Sequence, residues 1–201
     1  MSPGKCTKQQ LRDEVRRTVR TLTSEERLEA SEAVTEAIVT SPIWAAADTV
    51  FAFVSLPDEV ETTTICEQAL VEQKLLGLPR FGEEGLVFHE VTDLDELRID
   101  NSMAIRQPNR ELSVLASTLA PRQPGRLLII TPGRAFTPEG DRLGRGGGFY
   151  DAFFAALRRE QIVFHALAVA FHEQIYDEIP TTDEDERVHG IVTPKRRLGL
   201  A

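Results

Sequence analysis

The residues best suited to do chemistry lie between Ile129 and Ala156, in IITPGRAFTPEGDRLGRGGGFYDAFFAA. The apolar, β-branched run from Leu127 to Thr131 reads as a buried strand. A polar loop with Gly133, Gly140, Gly144, Gly146, Gly147 and Gly148 follows, and Tyr150 to Leu157 reads as the start of a helix. Strand, Gly-rich loop and helix aim backbone N–H groups and a helix N-terminus at one point, which suits a phosphate. Gly146, Gly147 and Gly148 leave no Cβ in the turn, so a ligand can approach the backbone closely. Arg142 and Arg145 add positive charge. The loop fits neither common nucleotide signature: no lysine lies between Gly133 and Asp151, and a dinucleotide fingerprint starting at Gly144 would need glycine where Phe149 stands. A plain strand-to-helix turn is the simpler alternative, but six glycines together with Arg142, Arg145 and two flanking aromatics exceed what a turn requires.

Pro132-Gly133-x-x-Phe136, followed by Gly140-Asp141-Arg142-Leu143-Gly144-Arg145-Gly146-Gly147-Gly148-Phe149-Tyr150-Asp151, resembles the 5-formyltetrahydrofolate cyclo-ligase family, also called 5,10-methenyltetrahydrofolate synthetases. The resemblance implies ATP- and Mg-dependent closure of 5-formyltetrahydrofolate to 5,10-methenyltetrahydrofolate, with ADP and phosphate released. The formyl oxygen would be phosphorylated, so no protein nucleophile is needed, and catalysis would rest on positioning and charge neutralisation. It also implies an ATP site at Arg142, Leu143, Gly144, Arg145, Gly146, Gly147, Gly148, Phe149 and Tyr150. Arg145 and Tyr150 would act at the reacting centre, Arg145 and Phe149 would border the folate, and Asp151 would bind Mg. As a helix-cap aspartate, Asp151 would need no metal. Two departures stand out: Gly147, where some relatives have lysine, and Phe149, where many have tyrosine.

Other elements must position this loop. Thr7-Lys8-Gln9-Gln10 has the form of a capping box, and Leu11, Val15 and Val19 give the following helix one apolar stripe. Lys8 and Arg12 share a different face, and spacing alone makes that face a solvated one. The resemblance instead places both on ATP phosphates. A second helix starts at Thr23-Ser24-Glu25-Glu26, has Leu28, Val34 and Ile38 as its apolar face, and ends at Ser41-Pro42. Thr49 to Ser55 reads as a buried strand. Glu59, in the loop after it, could simply complement a helix dipole; the resemblance puts Glu59 and Val54 against the folate.

A helix from Thr64 to about Gln73 comes next, then short strands at Leu75–Leu78 and Leu86–Val91, with Pro79-Arg80 closing the first. Asp93 to Asn101 reads as acidic surface, Ile105 to Pro108 as a loop, Leu112 to Leu119 stays ambiguous, and Pro121 to Gly125 is a turn. Val163 to Phe171 is a strand-like run; His165 inside it reads as a core or edge histidine. His172-Glu173 begins like a zinc-protease motif, but Tyr176 replaces the second histidine. The acidic run Thr181 to Glu186 reads as a solvated loop by composition, while the resemblance makes its Asp185 an acid associated with Mg. A short strand at Ile191–Pro194 and a mobile basic tail from Lys195 complete the chain.

Strands alternating with helices predict one α/β domain over 1–201: a three-layer sandwich with a mostly parallel open sheet. The net charge is −9, against sequence-independent nucleic-acid binding. Cys6 and Cys66 lack disulfide or zinc spacing, and no apolar run suits a membrane span or signal core. The expectation is a soluble cytoplasmic monomer whose partners are a folate and ATP. Two other functions fit a phosphate loop: a non-catalytic nucleotide- or phosphate-sensing module, and a sugar-phosphate isomerase. Lys8 and Arg12 favour ATP over both.

Overall fold

The computed structural model describes residues 6–82, 85–99, 105–115 and 126–198. The helices are α1 (Lys8–Thr21), α2 (Ser24–Val39), α3 (Pro42–Ala46), α4 (Thr63–Val71) and α5 (Phe149–Arg159). The strands are β1 (Thr49–Phe51), β2 (Leu75–Gly82), β3 (Gly85–Glu90), β4 (Leu127–Thr131), β5 (Ala135–Phe136), β6 (Arg142–Leu143), β7 (Phe164–Val169), β8 (Gly190–Val192) and β9 (Arg197–Leu198). The main sheet has the order β3-β2-β1-β4-β7-β8-β9, and β5 and β6 pair separately. Pairings among β2, β1, β4, β7 and β8 are parallel; β3 and β9 add antiparallel edges. The expected three-layer α/β sandwich with a mostly parallel sheet is what forms.

Side-chain alternation along the strands builds two cores. Val50, Leu128, Ile130, Leu167 and Val169 face one way and pack with residues of α1, α2, α3 and α4. Phe51, Ile129, Ala166 and Ala168 face the other way and pack with α5. The alanines of β7 leave room for the α5 phenylalanines Phe153 and Phe154. Phe51 also stacks on Phe88, with ring centroids 4.3 Å apart.

Capping boxes start α1 at Thr7/Gln10 and α2 at Thr23/Glu26; the sequence predicts the first as a box and the second as a helix start. Leu28, however, is 57% exposed. No residue of α2 before Ser31 is buried, so the opening turns stand clear of the sheet and the core face begins only there. Ser41-Pro42 ends α2 but at once starts α3, with Ser41 as cap and proline in the first turn. The strand predicted at Thr49–Ser55 stops at Phe51; Phe53 and Val54 leave the ladder and turn into the cleft described below. The helix predicted from Thr64 begins at Thr63, after Thr62, which makes no side-chain cap.

Strand β2 runs through Pro79, four residues past its predicted end. Proline is tolerated because β1 stops opposite Gly77, leaving no ladder on that side. Phe81, which points its N–H the same way as position 79, gives it to the Gln107 side chain instead. Asp93–Asn101 is not all surface: Leu97 is buried beside a short 3-10 turn. Part of Leu112–Leu119, and the turn at Pro121–Gly125, lie outside the described residues. Arg197–Leu198 pairs with β8, so the basic tail is anchored at that point. Among the described residues no helix is long and apolar enough to cross a membrane.

Candidate functional site

The parallel strand order reverses at β1, which has β2 on one side and β4 on the other. In open α/β sheets ligands settle in the crevice beyond the carboxyl ends of strands at such a switch point. A cleft of about 1120 Å³ lies there, lined by Phe53, Val54, Leu56 and Glu59 after β1 and by Pro132 and Gly133 after β4. Its other walls come from α1, the Gly-rich loop, the start of α5 and residues 182–186.

The Gly-rich loop is more ordered than its composition suggests. Arg142-Leu143 forms β6, which pairs with Ala135-Phe136 of β5. Gly146 has φ +110° and Gly148 has φ +65°, backbone regions that glycine enters at little cost. Gly148 is the N-cap of α5 and supplies no side chain to it, so the first N–H groups of α5 have no side-chain cap. The Phe149 ring lies over the bare Cα of Gly147 and meets Phe81 edge-on, with centroids 5.3 Å apart. A Cβ at position 147 would run into that ring, so the two departures noted in the sequence share one space.

Four cations converge on this loop. Arg12 Nε donates to the Gly144 carbonyl at 2.8 Å. Lys8 Nζ pairs with Asp185 at 2.5 Å. Burial works against the Asp185 charge, but Lys8 and the Thr182 N–H and hydroxyl hold its carboxyl below the ordinary range. Arg145 pairs with Asp58 at 2.7 Å and Glu59 at 2.9 Å. Arg142 pairs with Asp151 at 2.6 Å while its own side chain is 3% exposed. The Arg142 guanidinium also lies 5.6 Å from the Tyr150 ring centre. The Arg142 Nε and the Tyr150 hydroxyl are buried without hydrogen-bond partners among the described residues. Burial, with the Glu59 charge in support, pushes the Tyr150 hydroxyl far above its ordinary range, so it stays protonated and able to donate.

The site residues read from the sequence therefore gather at one cleft. Lys8, Arg12, Val54, Glu59, Asp151 and Asp185 line it together with the run from Arg142 to Tyr150. Asp151 is not a helix cap: its carboxylate accepts from Arg142 and from the Glu186 N–H at 3.2 Å. Two participants escaped the sequence reading, Asp58 and Arg134, which pair at 2.6 Å. They are 76 residues apart, and no local pattern marks such a pair.

Among the described residues no group of three or more His, Cys, Asp or Glu side chains could hold a metal by itself. Asp151 and Asp185 still fit Mg, which is usually held by one or two carboxylates together with substrate phosphates and water.

Comparison with known proteins decides the family. Residues 4–194 match the sequence pattern of the 5-formyltetrahydrofolate cyclo-ligase family. The chain belongs to that family. A mouse 5-formyltetrahydrofolate cyclo-ligase is 30% identical over 190 residues, covering 92% of both chains. The Escherichia coli K12 5-formyltetrahydrofolate cyclo-ligase is 28% identical over 186 residues, covering 90% of this chain and 97% of the relative. The solution structure of Aquifex aeolicus 5,10-methenyltetrahydrofolate synthetase superposes with a TM-score of 0.78 at 26% identity, over 96% of this chain and 93% of that one. Membership in the cyclo-ligase family makes the protein an enzyme of the ligase class.

Proposed function

We propose that the protein closes 5-formyltetrahydrofolate to 5,10-methenyltetrahydrofolate at the expense of ATP, with Mg, in the cleft at the β1–β4 switch point. The observation that carries this reading is the lining of one cleft by two chemically different sets of residues. One set is Phe53, Val54, Leu56, Pro79, Phe81, Ile105 and Phe149, a surface for a flat heteroaromatic ring. The other is Lys8, Arg12, the Gly144–Gly148 backbone and the acids Asp151 and Asp185, a surface for polyphosphate and a cation. Ligand sites commonly hold ~300–1,000 Å³, and the cleft of about 1120 Å³ has room for two substrates. Arg145 and Tyr150 line the same cleft.

The residue types follow from the reaction. A formyl group on nitrogen is amide-like and resists attack by the neighbouring amine. Transfer of the terminal phosphoryl group of ATP to the formyl oxygen releases ADP and makes that oxygen a good leaving group. The amine then attacks the formyl carbon, loses its proton, and phosphate departs as the ring closes. Arg145 neutralises charge on the transferring group, and the protonated Tyr150 hydroxyl donates a hydrogen bond near the reacting oxygen. Lys8 and Arg12 bind and orient the phosphates. Asp151 and Asp185 would hold Mg, which would neutralise phosphate charge when bound. Val54, Glu59 and Phe149 border the folate. The direct test is to mix protein, MgATP and 5-formyltetrahydrofolate and follow the methenyl chromophore alongside ADP. Folded protein that yields neither at saturating substrate removes the reading.

A further inference from the structure

Arg145 has a long side chain on a loop between two glycines, one of them at φ +110°. Such a side chain needs external support to hold one direction. Asp58 and Glu59 supply it, at 2.7 and 2.9 Å. Two carboxylates on one guanidinium, however, leave an excess negative charge beside a site built for an anion. The second oxygen of Asp58 answers that charge: it accepts from Arg134 Nη1 at 2.6 Å. The Arg134 side chain is 3% exposed. Its backbone is fixed too, since its N–H donates to the Leu143 carbonyl at 2.6 Å and its carbonyl accepts from the Gln174 side chain at 3.0 Å. Asp58 feels this directly: burial opposes its charge, yet Arg134 and Arg145 together hold its carboxyl below the ordinary range. Arg134 and Asp58 do not line the cleft.

We propose that Arg134 is a positioning residue: it fixes Asp58 and balances its charge, and through Asp58 it sets where the Arg145 guanidinium stands in the cleft. The order Arg134–Asp58–Arg145–Glu59 alternates in sign and sums to zero, so Arg145 is held in direction without a net negative charge at its side. The single contact from Arg134 Nη1 to one carboxylate oxygen of Asp58 leaves the other oxygen to Arg145. The inference rests on the reading that Arg145 faces ATP. Melting curves separate it from fold stability, since breaking a buried ion pair can itself destabilise the fold.

The test compares Arg134→Met, Arg134→Lys, Asp58→Asn and the double variant Arg134→Met/Asp58→Asn. Steady-state turnover is measured with ATP and folate varied separately, ATP binding is measured by calorimetry, and melting curves establish that each variant is folded. Arg134→Met should lower kcat/KM for ATP roughly tenfold to a hundredfold, the scale of a displaced positioning group. The KM for the folate should stay within about twofold, and ATP binding should weaken. Arg134→Lys, which keeps the charge, should regain most of the loss. In the Asp58→Asn background Arg134→Met should have no further effect. If Arg134→Met lowers the melting temperature but leaves kcat/KM and ATP affinity of the folded protein unchanged, Arg134 is structural and the proposal fails. An equal effect of Arg134→Met with and without Asp58 also overturns it. Should Arg134→Met not fold, the lysine and double variants carry the same decision. Calorimetry needs no turnover, so a wild-type protein that binds ATP without forming methenyl product would remove the proposed reaction and still decide the role of Arg134.

Discussion

Replacing Asp151 separates its two duties. The carboxylate is the partner of Arg142, whose side chain is 3% exposed, at 2.6 Å. Asp151→Ala would leave that guanidinium buried without its counter-charge. Breaking such a pair costs ~3–5 kcal/mol. The Asp151 side is 20% exposed, so water can reach the vacated position and the low end, about 3 kcal/mol, applies. In a chain of 201 residues each kcal/mol moves Tm by ~2–4 °C, giving a fall of roughly 6–12 °C. Asp151→Asn keeps an oxygen for Arg142 but not the counter-charge, so it should lose less stability than Asp151→Ala but more than nothing. From the sequence alone, the asparagine variant would be nearly neutral to stability, because asparagine caps a helix as well as aspartate does. The ion pair revises that. If Asp151 also holds Mg, both variants need more Mg for half-maximal turnover, with partial rescue at high Mg. Denaturant unfolding beside a Mg titration of turnover makes both measurements. An Asp151→Ala variant as stable as the parent refutes the dependence of Arg142 on it. Lowered stability with unaltered Mg demand confines Asp151 to the ion pair.

Lys8→Ala/Arg12→Ala should weaken ATP binding by roughly 1.5–3 kcal/mol for each charge-assisted hydrogen bond removed, while the circular dichroism spectrum stays that of the parent; equal ATP affinity by calorimetry would return both to a solvated face. Tyr150→Phe removes a buried hydroxyl that has no partner among the described residues, so stability should be unchanged or higher by up to ~1 kcal/mol while turnover falls; a large stability loss would show that the hydroxyl serves the fold. Burial and the nearby His189 push His165 down to about 4 from its ordinary 6.5. The folded state then binds fewer protons than the unfolded chain over that interval, so stability should fall as pH drops from about 6.5 towards 4. His189, also lowered by burial, acts in the same direction, whereas Asp58 and Asp185 contribute only below the carboxylate value of 3.8. His165→Asn should flatten the pH dependence of the denaturant midpoint between those limits, and an undiminished slope would exclude His165 as its source.

What could be read in advance was what is local. The capping boxes at Thr7 and Thr23 and the buried run Leu127–Thr131 are written within a few residues, and each formed. The Gly-rich loop was legible as an anion cradle because its glycines and arginines are contiguous. Its β5–β6 ladder was not, since two-residue strands are too short to show a period. Strand β2 was cut short because proline argues against a strand unless one side of the ladder is open, and that depends on where β1 ends. Leu28 follows helical spacing yet stays exposed, because periodicity does not say where a core begins. The ion pairs were the least accessible. Asp58 with Arg134, and Arg142 with Asp151, come together only through folding, and charged residues on loops look alike until their partners are placed.

The cleft is also a knot in time. Its hydrogen bonds tie Lys8 to Asp185 across 177 positions, Arg12 to Gly144 across 132 and Arg145 to Asp58 across 87. Pairings that distant form late, because closing long loops is entropically slow and parallel strands offer few short-range rewards. No nascent fragment that lacks β8 and the segment before it can present Asp185 to Lys8. The cleft is therefore complete only once these distant segments have met. A ligand that recognises the finished molecule alone stabilises it by mass action, ~2.7 kcal/mol at a hundredfold excess over Kd. Nucleotide should thus slow unfolding and proteolysis, by bracing the seam where the first and last parts of the described chain meet.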